Sequence, residues 1–290
     1  MTNLVIGALT GLALMQSADT TVQAPSGTAL AIENRHGSVV VRTWDRREVR
    51  VQTQRPGEPS VEIARDGSTL RIRPAAAWRH GDHSDDDIEL RLTVPESTAM
   101  SVSAPFADVD IEGTGASVAV ESVEGDVWVR GAGSVAVRAA EGDIRIEGAR
   151  GAVAASSGDG DIEITDAAGA VAVEGIDGDI TMLDIEASSV DAVTVDGDVV
   201  YRGTIRDGGQ YRLSTHDGDI VATVPESANV RVWVSTFDGD FQPSFPITLS
   251  TGLQNRFEFT IGSGSARLEL EAFDGEIFLI RPGERLPDYQ

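Results

Sequence analysis

The chain has 290 residues, no cysteine, 41% apolar but only 5% aromatic content, and a formal charge of −24. It is long enough to bury a sizeable core, and the missing cysteines exclude disulfides, cysteine-linked lipid and thiolate metal sites. So acidic a surface repels phosphate backbones and anionic lipid headgroups, which excludes nucleic acid as a partner. All 23 basic residues are arginine, which we read as a composition bias rather than a functional signal.

From the N-terminus, residues 4–15 form an apolar run in which only Thr10 is polar, followed by Gln16, Ser17, Ala18 and Asp19. The run is too short to span a bilayer and fits the h-region of a signal peptide over residues 1–24, although no Arg or Lys precedes it. Cleavage is expected after Ala18 or Ala24. The mature chain would be periplasmic, secreted or on the cell surface, without a membrane span.

Residues 25–105 read as longer alternating strands separated by turn signals such as Pro56-Gly57 and Asp66-Gly67, a β-rich cap that seals one end of the repeats. Within this part the stretch 78–87 carries His80, His83 and four aspartates, the ingredients of a metal site. Ligands crowded into one loop seldom pre-organise, so a solvated loop is expected. His36 and His216 each lie beside a turn, and no nucleophile, P-loop or HExxH phrase accompanies them.

Residues 106–280 hold the dominant signal, an acid-Gly-Asp phrase whose glycines are Gly125, Gly142, Gly160, Gly178, Gly197, Gly218 and Gly239. The steps are 17, 18, 18, 19, 21 and 21 residues, an internal repeat. After each phrase an apolar column runs Val127, Ile144, Ile162, Ile180, Val199, Ile220 and Phe241, with polar residues such as Arg145 and Glu163 between its members and the next apolar position. That alternation is a strand with one buried face. A second strand half a repeat earlier carries Val118/Val120, Val135/Val137, Val153/Ala155 and Val171/Val173, often introduced by Gly133, Gly151 or Gly169.

Glycine reaches positive φ and a neighbouring aspartate can bond a backbone N–H two residues on, so the phrase makes a tight corner. A hairpin meander would not need residues one repeat apart to match in size, whereas stacked coils bury each column against itself. The expected fold is therefore all-β: a β-solenoid, a right-handed parallel β-helix by the crossover rule, with two short strands per ~18-residue coil and β-rich caps at both ends. Beyond Gly239 the next corner, Asp274-Gly275-Glu276, comes 36 residues later. The alternating stretches 257–261 and 266–271 between them read as a hairpin-like closing pair. Tyr201, Tyr211, Trp233, Phe237, Phe241 and Phe245 read as a wider core layer, with a carbohydrate-stacking patch as the alternative. Residues 281–290 read as a flexible tail.

The phrases Gly37-Ser38-Val39-Val40-Val41-Arg42-Thr43-Trp44-Asp45 and Leu90-Arg91-Leu92-Thr93-Val94-Pro95, the repeated Gly-Asp corners and Ala222-Thr223-Val224-Pro225-Glu226 resemble an uncharacterised bacterial family of β-strand-repeat proteins grouped as adhesin candidates, a domain of unknown function. The resemblance covers about residues 29–280. It implies a β-helical envelope or surface protein without an assigned enzyme activity, and it carries no catalytic residues.

Three function classes compete. The favoured one is a non-enzymatic extracytoplasmic scaffold or adhesin-like interaction module whose partner is a protein or glycan of the cell envelope. A calcium-dependent structural module is the second, with Asp161, Asp179 and Asp198 as candidate ligands stacked ~5 Å apart. Calcium wants six to eight oxygens, and the nine-residue glycine–aspartate period of calcium β-rolls is missing, so weak divalent screening without a resident cofactor is expected instead. The third is a polysaccharide-active β-helix enzyme. Acid/base work needs one carboxylate set apart from its neighbours, and here the acids recur alike in each coil.

Overall fold

The computed structural model describes residues 14–16, 19–53, 61–75, 87–253 and 255–284. Among them there are 27 strands and no helix, and one hydrogen-bonded network joins all the strands. Pairing partners lie one repeat away and run parallel. Val118–Glu124 pairs with Val135–Arg138, that strand with Val153–Asp159, and the row continues through Val171–Asp177, Ser189–Val193 and Gln210–Asp217. A second row runs Val127–Arg130, Ile144–Glu147, Ile162–Thr165, Ile180–Ile185, Val199–Gly203 and Ile220–Thr223. This is a β-solenoid with two strands per coil, and the meander is excluded by the pairing itself.

The register is the one the columns predict: Val127 faces Ile144, then Ile162, Ile180, Val199 and Ile220, all at most 1% exposed. β-branched side chains stack well on themselves along such a column, and each buried one contributes about 1.5–3 kcal/mol. The opposite corner adds a column of small residues, Thr114, Ala132, Ala149, Ala167 and Ala187, all buried. Where the coil lengthens, Tyr201 and Tyr211 fill the extra width with rings 5.8 Å apart. Their hydroxyls donate to the carbonyls of Thr204 and Ala187, and burial pushes both phenols above their ordinary pKa. The six aromatics thus split: Tyr201, Tyr211 and Phe245 are core, whereas Phe237 is 66% exposed.

Both ends are tucked in by a strand that returns one coil early. At the C-terminal end Ala266–Asp274 lies between Gln210–Asp217 and Val230–Asp238, parallel to both, and Ile277–Ile280 lies between Ile220–Thr223 and Phe241–Pro243. Ile277 therefore follows Ile220 in the column, and Phe241 is displaced to the outermost place. The expected closing hairpin gives way to the same arrangement: Arg256–Ile261 pairs antiparallel with Val230–Asp238, on the side away from Ala266–Asp274. At the N-terminal end Ala29–Glu33 and His36–Trp44 form a coil between Met100–Glu112 and the strands Thr69–Pro74 and Ile88–Pro95. The stretch read as a cap thus contributes a coil of the solenoid itself.

Antiparallel strands then cover the outermost edges, which would otherwise present unpaired backbone to other chains. Glu48–Thr53 pairs with Ile88–Pro95 and Asp19–Gln23 with Glu48–Thr53 at one end, while Leu249–Leu253 covers Arg256–Ile261 at the other. Arg50 holds Asp19 by two hydrogen bonds of 2.8 and 2.5 Å, which keep that carboxyl below its usual range. Among the described residues no helix is long and apolar enough to cross a membrane. Residues 1–13, most of the loop 78–87 and the end of the tail lie outside the described residues, so most of the h-region and the two histidines of that loop receive no structural account; the end of the apolar run, Leu14–Gln16, pairs antiparallel with Val61–Asp66.

Candidate functional site

The acid-Gly-Asp corners stack into one continuous edge of the solenoid. At Gly178 φ is +132°, and a Cβ placed there would lie 2.6 Å from the carbonyl oxygen of Gly160 in the preceding coil. Glycine is required twice over, by the backbone conformation and by the close approach. The aspartate after it has a role different from the local turn bond expected. Its Oδ1 accepts the backbone N–H of the equivalent residue one coil on: Asp143 from Asp161 at 3.1 Å, Asp161 from Asp179 at 2.9 Å, Asp179 from Asp198 at 2.8 Å, and Asp198 from Asp219 at 2.7 Å. The three calcium candidates Asp161, Asp179 and Asp198 therefore form one ladder in which each commits an oxygen to the backbone. Among the described residues no three His, Asp or Glu side chains are grouped so as to hold a metal ion.

Inside the corner, hydroxyls satisfy carbonyls that the turn leaves free. Thr215 donates to the carbonyl of Gly197 at 2.8 Å and Thr194 to that of Gly178 at 3.3 Å, each in the preceding coil, and Thr236 donates to Gly239 of its own corner at 3.1 Å. The next residue along must then point outward, because side chains alternate along a strand. Those residues are Val123, Ile176, Val195, His216, Phe273 and Phe237, every one exposed. Spatially, Ile176, Val195, His216, Phe273 and Phe237 occupy five successive coils, since Phe273 belongs to the tucked-in strand. The three rings are stacked: His216 on Phe273 at 4.6 Å and 18°, and Phe273 on Phe237 at 4.6 Å and 5°. One residue further on lies the exposed first acid of each corner, Asp177, Asp196, Asp217, Asp274 and Asp238. The result is an apolar ridge with a parallel row of carboxylates.

Sequence reasoning missed this ridge, although counting in twos from Val171, Val190, Tyr211 or Val230 places Ile176, Val195, His216 and Phe237 outside. At the other end His36 stacks on Phe106 at 5.1 Å, so both described histidines are partners of phenylalanine rings.

The ladder's charge is not evenly tolerated. Burial, aided by repulsion from Asp179 and Asp219 and opposed by the Asp219 N–H bond, raises the Asp198 pKa above its ordinary 3.8. As pH rises, the unfolded chain releases this proton first, so stability falls from about pH 4 upward until the folded pKa is passed. Asp198→Asn keeps the acceptor and removes the charge. It is expected to melt higher than wild type at pH 7, with the gap closing as pH falls below about 4. Asp198→Ala, which loses the acceptor as well as the charge, should melt lower than Asp198→Asn at both pH values by the equivalent of about 1 kcal/mol. Calcium and magnesium should raise the wild-type melting temperature equally and slightly; a saturable calcium-only rise abolished by Asp179→Asn would make the ladder a calcium site.

A family model, Toastrack DUF4097, matches residues 28–279, from the first coil to the returning strand. The chain belongs to the Toastrack DUF4097 family. The family is one of unknown function, and the match spans both tucked-in ends, so the whole described solenoid is the Toastrack unit. No curated protein sequence matches the chain. Two solved structures are similar over their length. A cell-adhesion candidate from Clostridium sporogenes shares 10% identity at a TM-score of 0.24, covering 91% of this chain and 98% of that one. An adhesin candidate from Bacteroides fragilis shares 11% identity at 0.42, covering 90% and 96%.

Proposed function

We propose that this Toastrack chain is a non-enzymatic, extracytoplasmic scaffold of the cell envelope, adhesin-like in that it binds a protein or glycan along its side. The observation that supports this reading is the ridge: five successive coils expose apolar or aromatic residues at one corner, where a monomeric soluble surface scatters such residues singly. A stack of coils held by backbone ladders makes that surface long and rigid, so binding it costs little ordering.

Export is supported by the apolar run at residues 4–15. Of the two cleavage points, the one after Ala18 costs less pairing, removing only Leu14–Gln16, three residues paired antiparallel with residues 61–63. Cleavage after Ala24 would remove Asp19–Gln23, which pairs residue for residue with Glu48–Thr53 and covers the edge there. In the native host, mass spectrometry should find a mature chain starting at Asp19 in an extracytoplasmic fraction, and the purified mature protein should co-sediment with isolated envelopes. An intact Met1 on cytosolic protein, or turnover of a polysaccharide by the purified chain, would overturn the reading.

A further inference from the structure

The ridge also limits what can bind it. We infer that its occupant is a cationic amphipathic helix of a partner protein, lying along the solenoid axis; this rests on the reading of the chain as an interaction module.

Three observations select that chemistry. First, the rings of His216, Phe273 and Phe237 are stacked on one another, so both faces of the central ring, Phe273, are already covered. A sugar stacks on a free aromatic face, which the interior of this stack does not offer. Apolar side chains, by contrast, pack well on ring edges and on Ile176 and Val195, which are 61% and 48% exposed.

Second, Asp177, Asp196, Asp217, Asp274 and Asp238 run beside the ridge, one per coil. They repel anionic lipid and a second copy of this chain, whose charge is −24. They attract Lys or Arg flanking an apolar stripe, and such complementarity governs encounter and register.

Third, the spacing fits a helix. Coils stack ~4.8 Å apart, so five of them span ~19 Å. A helix rises about 5.4 Å per turn and presents one apolar position per turn, so about one falls on each coil, with a cation of the same turn over the aspartate. An extended strand puts same-side residues about 6.8 Å apart and falls out of step after one coil.

The test is fluorescence anisotropy of the full mature chain with a labelled Leu/Lys amphipathic peptide of about 14 residues, long enough as a helix to cover the ridge. A Leu/Glu peptide of the same length and an oligolysine serve as the other probes. The Leu/Lys peptide should bind, more weakly as salt rises, and at least tenfold more tightly than either of the others. The double variant Phe237→Ser/Phe273→Ser and the triple variant Asp217→Asn/Asp238→Asn/Asp274→Asn should each weaken it at least tenfold. Trp128→Ser, which alters an exposed aromatic on the other strand row, should leave it unchanged. Thermal melts within a few degrees of wild type would confirm that the variants fold. Equal binding of oligolysine, equal loss with Trp128→Ser, or no binding of the Leu/Lys peptide would overturn the assignment. If that peptide fails while the protein still co-sediments with envelopes, the helix assignment falls and the scaffold reading stands. If both fail, both fall.

Discussion

Ile162→Asp is expected to unfold the middle of the solenoid. Ile162 is 1% exposed and lies in register between Ile144 and Ile180, with apolar side chains around it and no basic group in its column. An aspartate there either buries an unpaired charge or holds a proton at the expense of its carboxyl's hydration; either way the cost is about 4 kcal/mol or more. Each coil is buried only by its two neighbours, so losing one opens a face of both. Glu163, the next residue, points out and faces Arg145 at 3.6 Å, where an ion pair contributes little. Glu163→Ala should therefore change stability by under about 0.5 kcal/mol. Circular dichroism melts of the two variants check this directly. Similar destabilisation by both would contradict the register.

That register is legible in the sequence because it is local. The phrase recurs, the residue after it is always Val, Ile or Phe, and parity along each short strand decides which side faces in. Parity also holds the ridge. The exposed positions of Ile176, Val195 and Phe237 follow from the same count that places Val173, Ala192 and Val234 inside. They escape a sequence reading because an apolar residue next to a corner invites the assumption that it is core, and an aromatic cluster near an end suggests a plug.

The order of the last coils is not legible in the same way. The corner at Asp274-Gly275-Glu276 is recognisable as a phrase, yet nothing near it tells that Ile277 stacks on Ile220 while Phe241 moves outward. That choice depends on which edge buries more surface after the chain has turned back, a non-local comparison. The aspartate ladder is similar. The residue type signals a corner, but whether its oxygen serves its own turn or the next coil depends on coil spacing. In the structure the next coil's N–H is the partner, 2.9 Å from Asp161 and 2.8 Å from Asp179. The ladder thus serves as a backbone acceptor series first and as a surface charge second.

The same stacking makes Gly178→Ala one of the most damaging small substitutions available. Gly178 has φ of +132°, outside the αL region that an alanine can reach at modest cost, so the backbone conformation alone is strongly disfavoured. The added methyl would also lie 2.6 and 2.8 Å from the carbonyl oxygen and carbon of Gly160. Those atoms are backbone, held in the coil below by the bond from the Gly160 N–H to the Asp177 carbonyl at 3.0 Å, so relief means separating two coils. A total near 4 kcal/mol is expected, which for a chain of this size lowers the melting temperature by roughly 10 °C. Gly208 provides the comparison. Its φ of +73° is also left-handed, but a Cβ there meets nothing within 4 Å, so Gly208→Ala bears only the conformational cost of about 1 kcal/mol. Thermal melts of the two variants separate steric stacking from backbone preference. A Gly178→Ala protein as stable as Gly208→Ala would mean that the coils are not in contact at their corners.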